Sequence, residues 1–270
     1  MKTQNIKLAI LSIILLVTVS LTAQETITVP LTNPSKPGLL KMSIINGSIT
    51  VKGYSGNEVI VKATRIADSK SHTKKIKEGL KKISNSSLEF SATEYDNEVR
   101  VRSSMYSNTA DFEIQVPKNF SLKISTVNNG DIYVENVNGA IDVSNVNGKI
   151  TLKDISGSVS TNTVRGDIVV NFIKVTPNVA MAFSSLNGDI DVTFPKTIKA
   201  NIKIKSDRGE IYTDFNLNST ASKPKVTKSE SEKGKSYRVK LEKWIEGSIN
   251  GGGPEMLFKN FNGDVIIRSK

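Results

Sequence analysis

Glycine recurs every ninth residue at positions 130, 139, 148, 157 and 166, and the residues between these glycines follow one pattern. Aligned on glycine, the units read VNGAIDVSN from Val137, VNGKITLKD from Val146, ISGSVSTNT from Ile155 and VRGDIVVNF from Val164. Looser copies are IINGSITV from Ile44, LNGDIDV from Leu186, DRGEIYT from Asp207 and FNGDVII from Phe261. Self-similarity at a short fixed period points to an array in which each unit buries its apolar face against its neighbours. Within a unit, Ile141, Asp142 and Val143 alternate apolar and polar, as a strand with one buried face does, and Ile and Val suit a pleated, half-buried surface. A glycine after a polar residue marks a corner that wants positive φ, where asparagine is the next most tolerant residue. Gly130, Gly139, Gly148, Gly157, Gly166, Gly188, Gly209 and Gly263 are therefore expected as structural corners.

Two all-β architectures fit this pattern. In an antiparallel meander every Asn-Gly would be a two-residue hairpin turn. The apolar positions fall at 141 and 143 and then at 146, so alternation breaks across Ser144 and Asn145, where a hairpin strand would keep it. A second corner is expected there, with polar pairs at the same place at Glu135 and Asn136, Lys153 and Asp154, and Asn162 and Thr163. Strand, corner, strand, corner favours a single-stranded β-solenoid of roughly 18–22-residue coils over the meander. Residues 18 apart would then stack at about 4.8 Å, with Ile132, Ile150 and Ile168 in one internal ladder and Val134, Leu152 and Val170 beside it. Spacings of 22 and 21 residues, from Gly166 to Gly188 to Gly209, predict wider coils with Ile190 and Ile211 in the same inward position.

Lys2 and Lys7 precede an uncharged apolar run from Leu8 to about Ala23, and polarity returns at Gln24 and Glu25. This reads as a secretory signal peptide over residues 1–23, since a spanning helix wants about 20 apolar residues. No second such stretch follows, so no transmembrane span is expected in residues 24–270. Within that repeat domain, residues 65–117 read as a less regular insert or cap and 218–235 as a polar loop or arm. The absence of cysteine excludes disulfide staples, zinc-thiolate sites and a cysteine nucleophile. The net charge of +11, two units of which leave with Lys2 and Lys7, favours acidic partners. For an exported chain these are anionic polysaccharide, a lipid surface or an envelope protein rather than nucleic acid.

The exported N-terminus, DFEIQVPKNFSLKISTVNNGDIYV from Asp111 and SINGGGPEMLFKNFNGDVIIRS from Ser248 together resemble the bacterial putative-adhesin family of β-strand-repeat proteins of unknown function. The resemblance covers nearly all of the chain after the signal. It implies a surface or periplasmic solenoid without established catalysis, in some members associated with envelope-stress signalling.

Candidate sites are few. Arg165, Gly166 and Asp167 spell an integrin-type tripeptide, but Arg165 fills the slot held by Asn129, Asn147 and Asn187, so the repeat accounts for it. Aspartates after glycine are reminiscent of calcium nonapeptides, yet Ala140, Lys149 and Ser158 take equivalent places, and Lys149 is expected to stack between Asp131 and Asp167 as an ion pair. The sole histidine, His72, lies among lysines, and Asp189 and Asp191 read as outward residues of one strand rather than a glycosidase pair. Lys70, Lys74, Lys75, Lys77, Lys81 and Lys82 form a basic patch, and Ile76, Leu80 and Ile83 at helical spacing predict one short amphipathic helix there. No cofactor or catalytic residue is expected. The leading function is a noncatalytic envelope or cell-surface scaffold or binding protein, with adhesion as one such role, ahead of a periplasmic sensor or partner in envelope-stress signalling and of a carbohydrate-active solenoid enzyme.

Overall fold

The structure, a computed structural model, describes residues 24–66, 88–104, 109–221, 225–230, 237–242 and 244–270, and side chains outside 219–243. The described residues form twenty-two strands and no helix. Twenty of the strands belong to one continuous sheet that runs as two opposed walls. The short helix expected across Lys70 to Ile83 falls outside the described residues, as do His72 and the six patch lysines.

The middle of the stack follows the 18-residue period. Ile150 lies in parallel register with Ile132 on one side and Ile168 on the other, and Leu152 likewise with Val134 and Val170. The strand Ile150–Arg165 turns from the first wall to the second, where Ser156 to Arg165 pair in parallel with Asn138 to Asn147. Each wall points alternate residues inward, so the ladder Ile132, Ile150, Ile168, Ile190 is fully buried at 0% exposure. Opposite it on the second wall run Leu122, Ile141 and Val159. Further along, the core becomes aromatic. Phe172 stacks on Phe194 at 5.1 Å and Phe183 on Phe258 at 5.0 Å, and Phe183 meets Phe194 edge-on across the walls. Such pairs add about 0.5–1.5 kcal/mol each beyond the area they bury.

Of the polar pairs expected at the second corner, Glu135–Asn136 and Lys153–Asp154 do mark corners, whereas Ser144–Asn145 and Asn162–Thr163 do not. Asn138–Asn147 is an unbroken strand, and the left-handed corner residues are Asn136 (φ 59°) and Asp154 (φ 52°). Alternation simply continues, so residue 145 points inward and Val146 outward. Consecutive nine-residue units lie on different walls, which is why polar pairs that align in sequence do different jobs. An inward polar column results: Thr126, Asn145, Thr163, Ser185 and Asn260 are all buried, in register on successive strands. Each donates to the carbonyl of a corner glycine, Asn145 Nδ2 to Gly130 O at 2.9 Å, Thr126 to Gly47 O at 3.0 Å and Asn260 to Gly188 O at 3.0 Å. A buried carbonyl left without a donor costs about 1–3 kcal/mol, so this column answers a need that every corner creates.

The glycines themselves fall into two columns. Gly47, Gly130, Gly148, Gly166, Gly188 and Gly263 pack carbonyl to Cα along one edge, where a Cβ on Gly148 would sit 2.1 Å from the Gly130 carbonyl oxygen. Gly139 and Gly157 form the start of the second column on the other edge. Positive φ is found at Gly148, Gly157, Gly166, Gly188 and Gly263 but not at Gly130, Gly139 or Gly209, where close approach of the neighbouring backbone is the reason for glycine. In the corner before Gly130 it is Asn128 that bridges to Asn46, and Asn129 is an extra residue at φ 51°.

At both ends of the stack, spatial order departs from chain order. Ile190 pairs with Val265, and Val265 with Ile211, so the coil Glu255–Ser269 is inserted between two coils expected to be neighbours. Likewise the coil of Gly38–Ser43 and Ile49–Tyr54 lies between Glu98–Pro117 and Phe120–Glu135. Beyond these, Glu58–Ile66 adds antiparallel to Thr109–Pro117 and Gln24–Pro30 antiparallel to Glu58–Ile66, while Ile245–Ile249 adds antiparallel to Ala200–Arg208 and Asn218–Ala221 antiparallel to Ile245–Ile249. Lys225–Glu230 and Tyr237–Glu242 form a separate two-stranded hairpin. No described helix is long and apolar enough to cross a membrane.

Candidate binding surface

The outer face of the second wall carries a pattern in which each row across the strands repeats one kind of side chain. One residue before the corner asparagine, or before Arg165 in its place, Ile45, Val127, Val146, Val164, Leu186 and Phe261 stand on or just past the ends of successive strands, each 37–46% exposed. They form an apolar ridge along the edge of the stack. Two residues earlier, in a row alongside the ridge, come Ser43, Ser125, Ser144, Asn162 and Ser184, in register through parallel pairing. Ser125 donates to Ser43 at 2.8 Å. At one end this polar row reaches Arg102, and at the other Lys259 and Lys205.

Two open depressions follow the row. The first, about 400 Å³, is lined by Lys41, Arg100, Arg102, Lys123 and the serines at 43, 125 and 144. The second, about 710 Å³, is lined by Asn162, Ser184, Leu186, Arg208, Lys259 and Phe261. Ser144, lining the first, and Asn162, lining the second, are register partners on adjacent strands.

Cations dominate both. In the first, Lys41 donates to Glu98 at 2.7 Å and Arg100 donates to the same carboxylate at 2.6 Å, while Lys123 stands 3.8 Å from Asp142. These contacts, the Lys41 hydrogen bond foremost, hold Glu98 below the usual carboxylate range. In the second, Lys205 approaches Asp207 at 3.5 Å and lies 5.9 Å from the centre of the Trp244 ring, which sits beside the depression and which Lys203 also approaches at 5.1 Å, and Arg208 stacks over Phe261 at 5.3 Å. Arg102 and Lys259 have no ion-pair partner among the described residues.

The carboxylates singled out from the repeat serve the backbone. Asp131 Oδ1 accepts the Lys149 N–H at 2.7 Å, so that pair is a side-chain to main-chain bond and not the ion pair expected. The same bond recurs from Asp189 N–H to Asp167 and from Asp264 N–H to Asp189. Asp191 is held by Arg268 through a two-nitrogen contact at 2.9 and 3.0 Å, which raises the arginine pKa. Asp189 and Asp191 thus have separate partners. No group of three or more metal-ligating side chains occurs among the described residues. Arg165 pairs in register with Asn147 and Asn187, within the corner column.

Sequence reasoning missed the ridge because it placed a corner at Ser144 and Asn145, which put Val146 back in phase with Ile141 and Val143. Parity held the signal: if Ile141 and Val143 point inward in an unbroken strand, Val146 must point out.

A solved structure, that of a putative cell adhesion protein from Clostridium sporogenes ATCC 15579, is similar to this chain with a TM-score of 0.46 and 14% identity, over 92% of this chain and 100% of that one. No curated protein matches. The family model described as Toastrack DUF4097 matches residues 107–243, just over half of the chain. With its stacked Gly-centred strand units, this protein belongs to the Toastrack DUF4097 family.

Proposed function

We propose that this protein is an exported, noncatalytic scaffold of the bacterial envelope or cell surface, a single-stranded β-solenoid whose second wall is a binding flank. One observation carries the reading: the apolar ridge and the polar row beside it run unbroken over successive strands, although a residue in either row could vary without cost to the core. Solvated walls ordinarily scatter single apolar residues, whereas a contiguous exposed stripe marks an interaction surface. The corner carboxylates support a noncatalytic role, since they are engaged with backbone N–H groups. The basic patch from Lys70 to Lys82 remains a second candidate contact for anionic partners.

Expression of the full chain in a bacterial host tests this. The protein is expected in the envelope or exterior fraction with residues 1–23 removed, and the purified protein should co-sediment with isolated envelopes while releasing no sugar fragments from a glycan panel. Cytosolic retention, or turnover of any glycan, contradicts the proposal.

A further inference from the structure

The polar row sits on strands that are all paired on both sides, so it has no free backbone N–H or C=O with which to add a peptide strand. What it has is side chains: hydroxyl or amide groups repeating in a straight line at about 4.8 Å, the distance between neighbouring strands. That line extends from Arg102 across Ser43, Ser125, Ser144, Asn162 and Ser184 to Lys259, seven strands in register. A ligand that fits it must itself be straight and repetitive, with polar groups recurring at about the strand spacing. A linear sugar chain meets this condition, because one ring advances the chain by close to that distance. The ridge of Ile45, Val127, Val146, Val164, Leu186 and Phe261 beside the row offers apolar contact of the kind the CH faces of sugar rings accept. Charge selects further. Arg102 and Lys259 at the two ends, and Lys123 between them, face the row as cations, against one carboxylate in each depression, Asp142 in the first and Asp207 in the second.

We propose that the row between Arg102 and Lys259 seats a linear acidic polysaccharide, whose carboxylates meet Arg102, Lys123 and Lys259, whose hydroxyls meet the serines and Asn162, and whose ring faces lie on the ridge. This rests on the scaffold reading and names its partner. Attraction is then largely Coulombic and weakens as salt shortens the screening length from about 10 Å at 0.1 M to about 3 Å at 1 M.

The test compares the protein with the double variant R102A/K259A and with S144W, which fills the row at its middle from an outward position. Probes are polygalacturonate and alginate oligomers, the methyl-esterified oligomers, and phosphatidylglycerol vesicles. Binding of at least one acidic oligomer is expected, with at least a tenfold loss on esterification, in each variant and at 1 M salt, while the thermal midpoints of the variants stay at the wild-type value. Equal binding by both variants, equal binding of esterified oligomers, binding to vesicles alone, or no binding to either acidic oligomer overturns the proposal. Envelope co-sedimentation separates the two readings: if the protein sediments with envelopes and the variants do so equally, the polysaccharide row is wrong and the scaffold stands, whereas absence of sedimentation by the wild-type protein removes the scaffold itself.

Discussion

The middle of the stack and its two ends are built from the same repeat, yet they find their neighbours differently. Between Ile132 and Val170 each strand pairs with the one 18 residues away. At the ends, Ile49 pairs with Ile132 across 83 residues, and Ile190 with Val265 across 75. Closing a loop of 75 rather than 18 residues costs only about 1.3 kcal/mol more, because the entropy grows with the logarithm of length. The inserted C-terminal coil buries Met256, Phe258, Val265 and Ile267. Each is worth about 1.5–3 kcal/mol when fully buried, so burial outweighs the longer closure several times over. Chain order is thus a weak constraint wherever a distant unit fits the ladder better.

The sharpest way to break this comparison is to put a charge in the ladder at each place. Ile150→Asp introduces an unpaired carboxylate at a fully buried position in the middle, and should remove cooperative folding altogether, a loss of about 4 kcal/mol or more. Val265→Asp, equally buried, should free the C-terminal coil while amides between residues 132 and 153 keep their exchange protection. Hydrogen exchange distinguishes them; equal loss of protection in both variants would show one cooperative unit and erase the distinction.

Gly148→Val comes next, because its Cβ would lie 2.1 Å from the Gly130 carbonyl oxygen and its φ of +154° suits no β-branched residue. A decrease of about 3 kcal/mol or more in urea-monitored stability is expected. Wild-type behaviour would mean that the glycine column is not closely packed.

A smaller effect should come from the inward polar column. Asn145→Ala and Asn260→Ala each leave a glycine carbonyl, of Gly130 and Gly188, without its donor, at about 1–3 kcal/mol. If the column does the same work in the middle and in the inserted coil, the two losses in denaturant melts will agree within error.

Acid gives the smallest and most local effect. Glu94 is lowered in pKa first by the Thr32 backbone N–H and then by that of Asn97, and Glu98 by Lys41 and Arg100. A carboxylate whose pKa is depressed by folding stabilises the native state above its unfolded pKa, and that contribution is lost as pH falls through the folded value. Both residues lie on the hairpin Phe90–Tyr95 and Glu98–Ser103 at the N-terminal end. Exchange there is expected to accelerate below the ordinary carboxylate range before the middle coils respond, and simultaneous loosening of both regions would count against these contacts.

How much of this was legible varies with the range of the interaction. The ladders through Ile150 and Leu152 could be read from spacing alone, since each is set by one local period. The glycine and asparagine corners were visible as residue types, but which glycines need positive φ and which need only room depends on the carbonyl approaching from the next coil, as at Gly130 and Gly148. Val146 reads as in phase with Ile141 and Val143 across a corner but stands on the surface, while Asn145, expected at that corner, is buried.

By itself the sequence determined the strand units, their 18-residue stacking in the middle and the membership of the ladders, because side-chain alternation and corner chemistry are properties of neighbouring residues. Only the tertiary structure decided that the coil Gly38–Tyr54 and the coil Glu255–Ser269 are inserted out of chain order, and hence which side chains line the polar row. Every unit carries nearly the same inward pattern, so the pattern cannot name its own neighbour. That choice falls to the fit of whole coils, where Phe183 meets Phe258 face to face and Arg268 meets Asp191 across the outer surface.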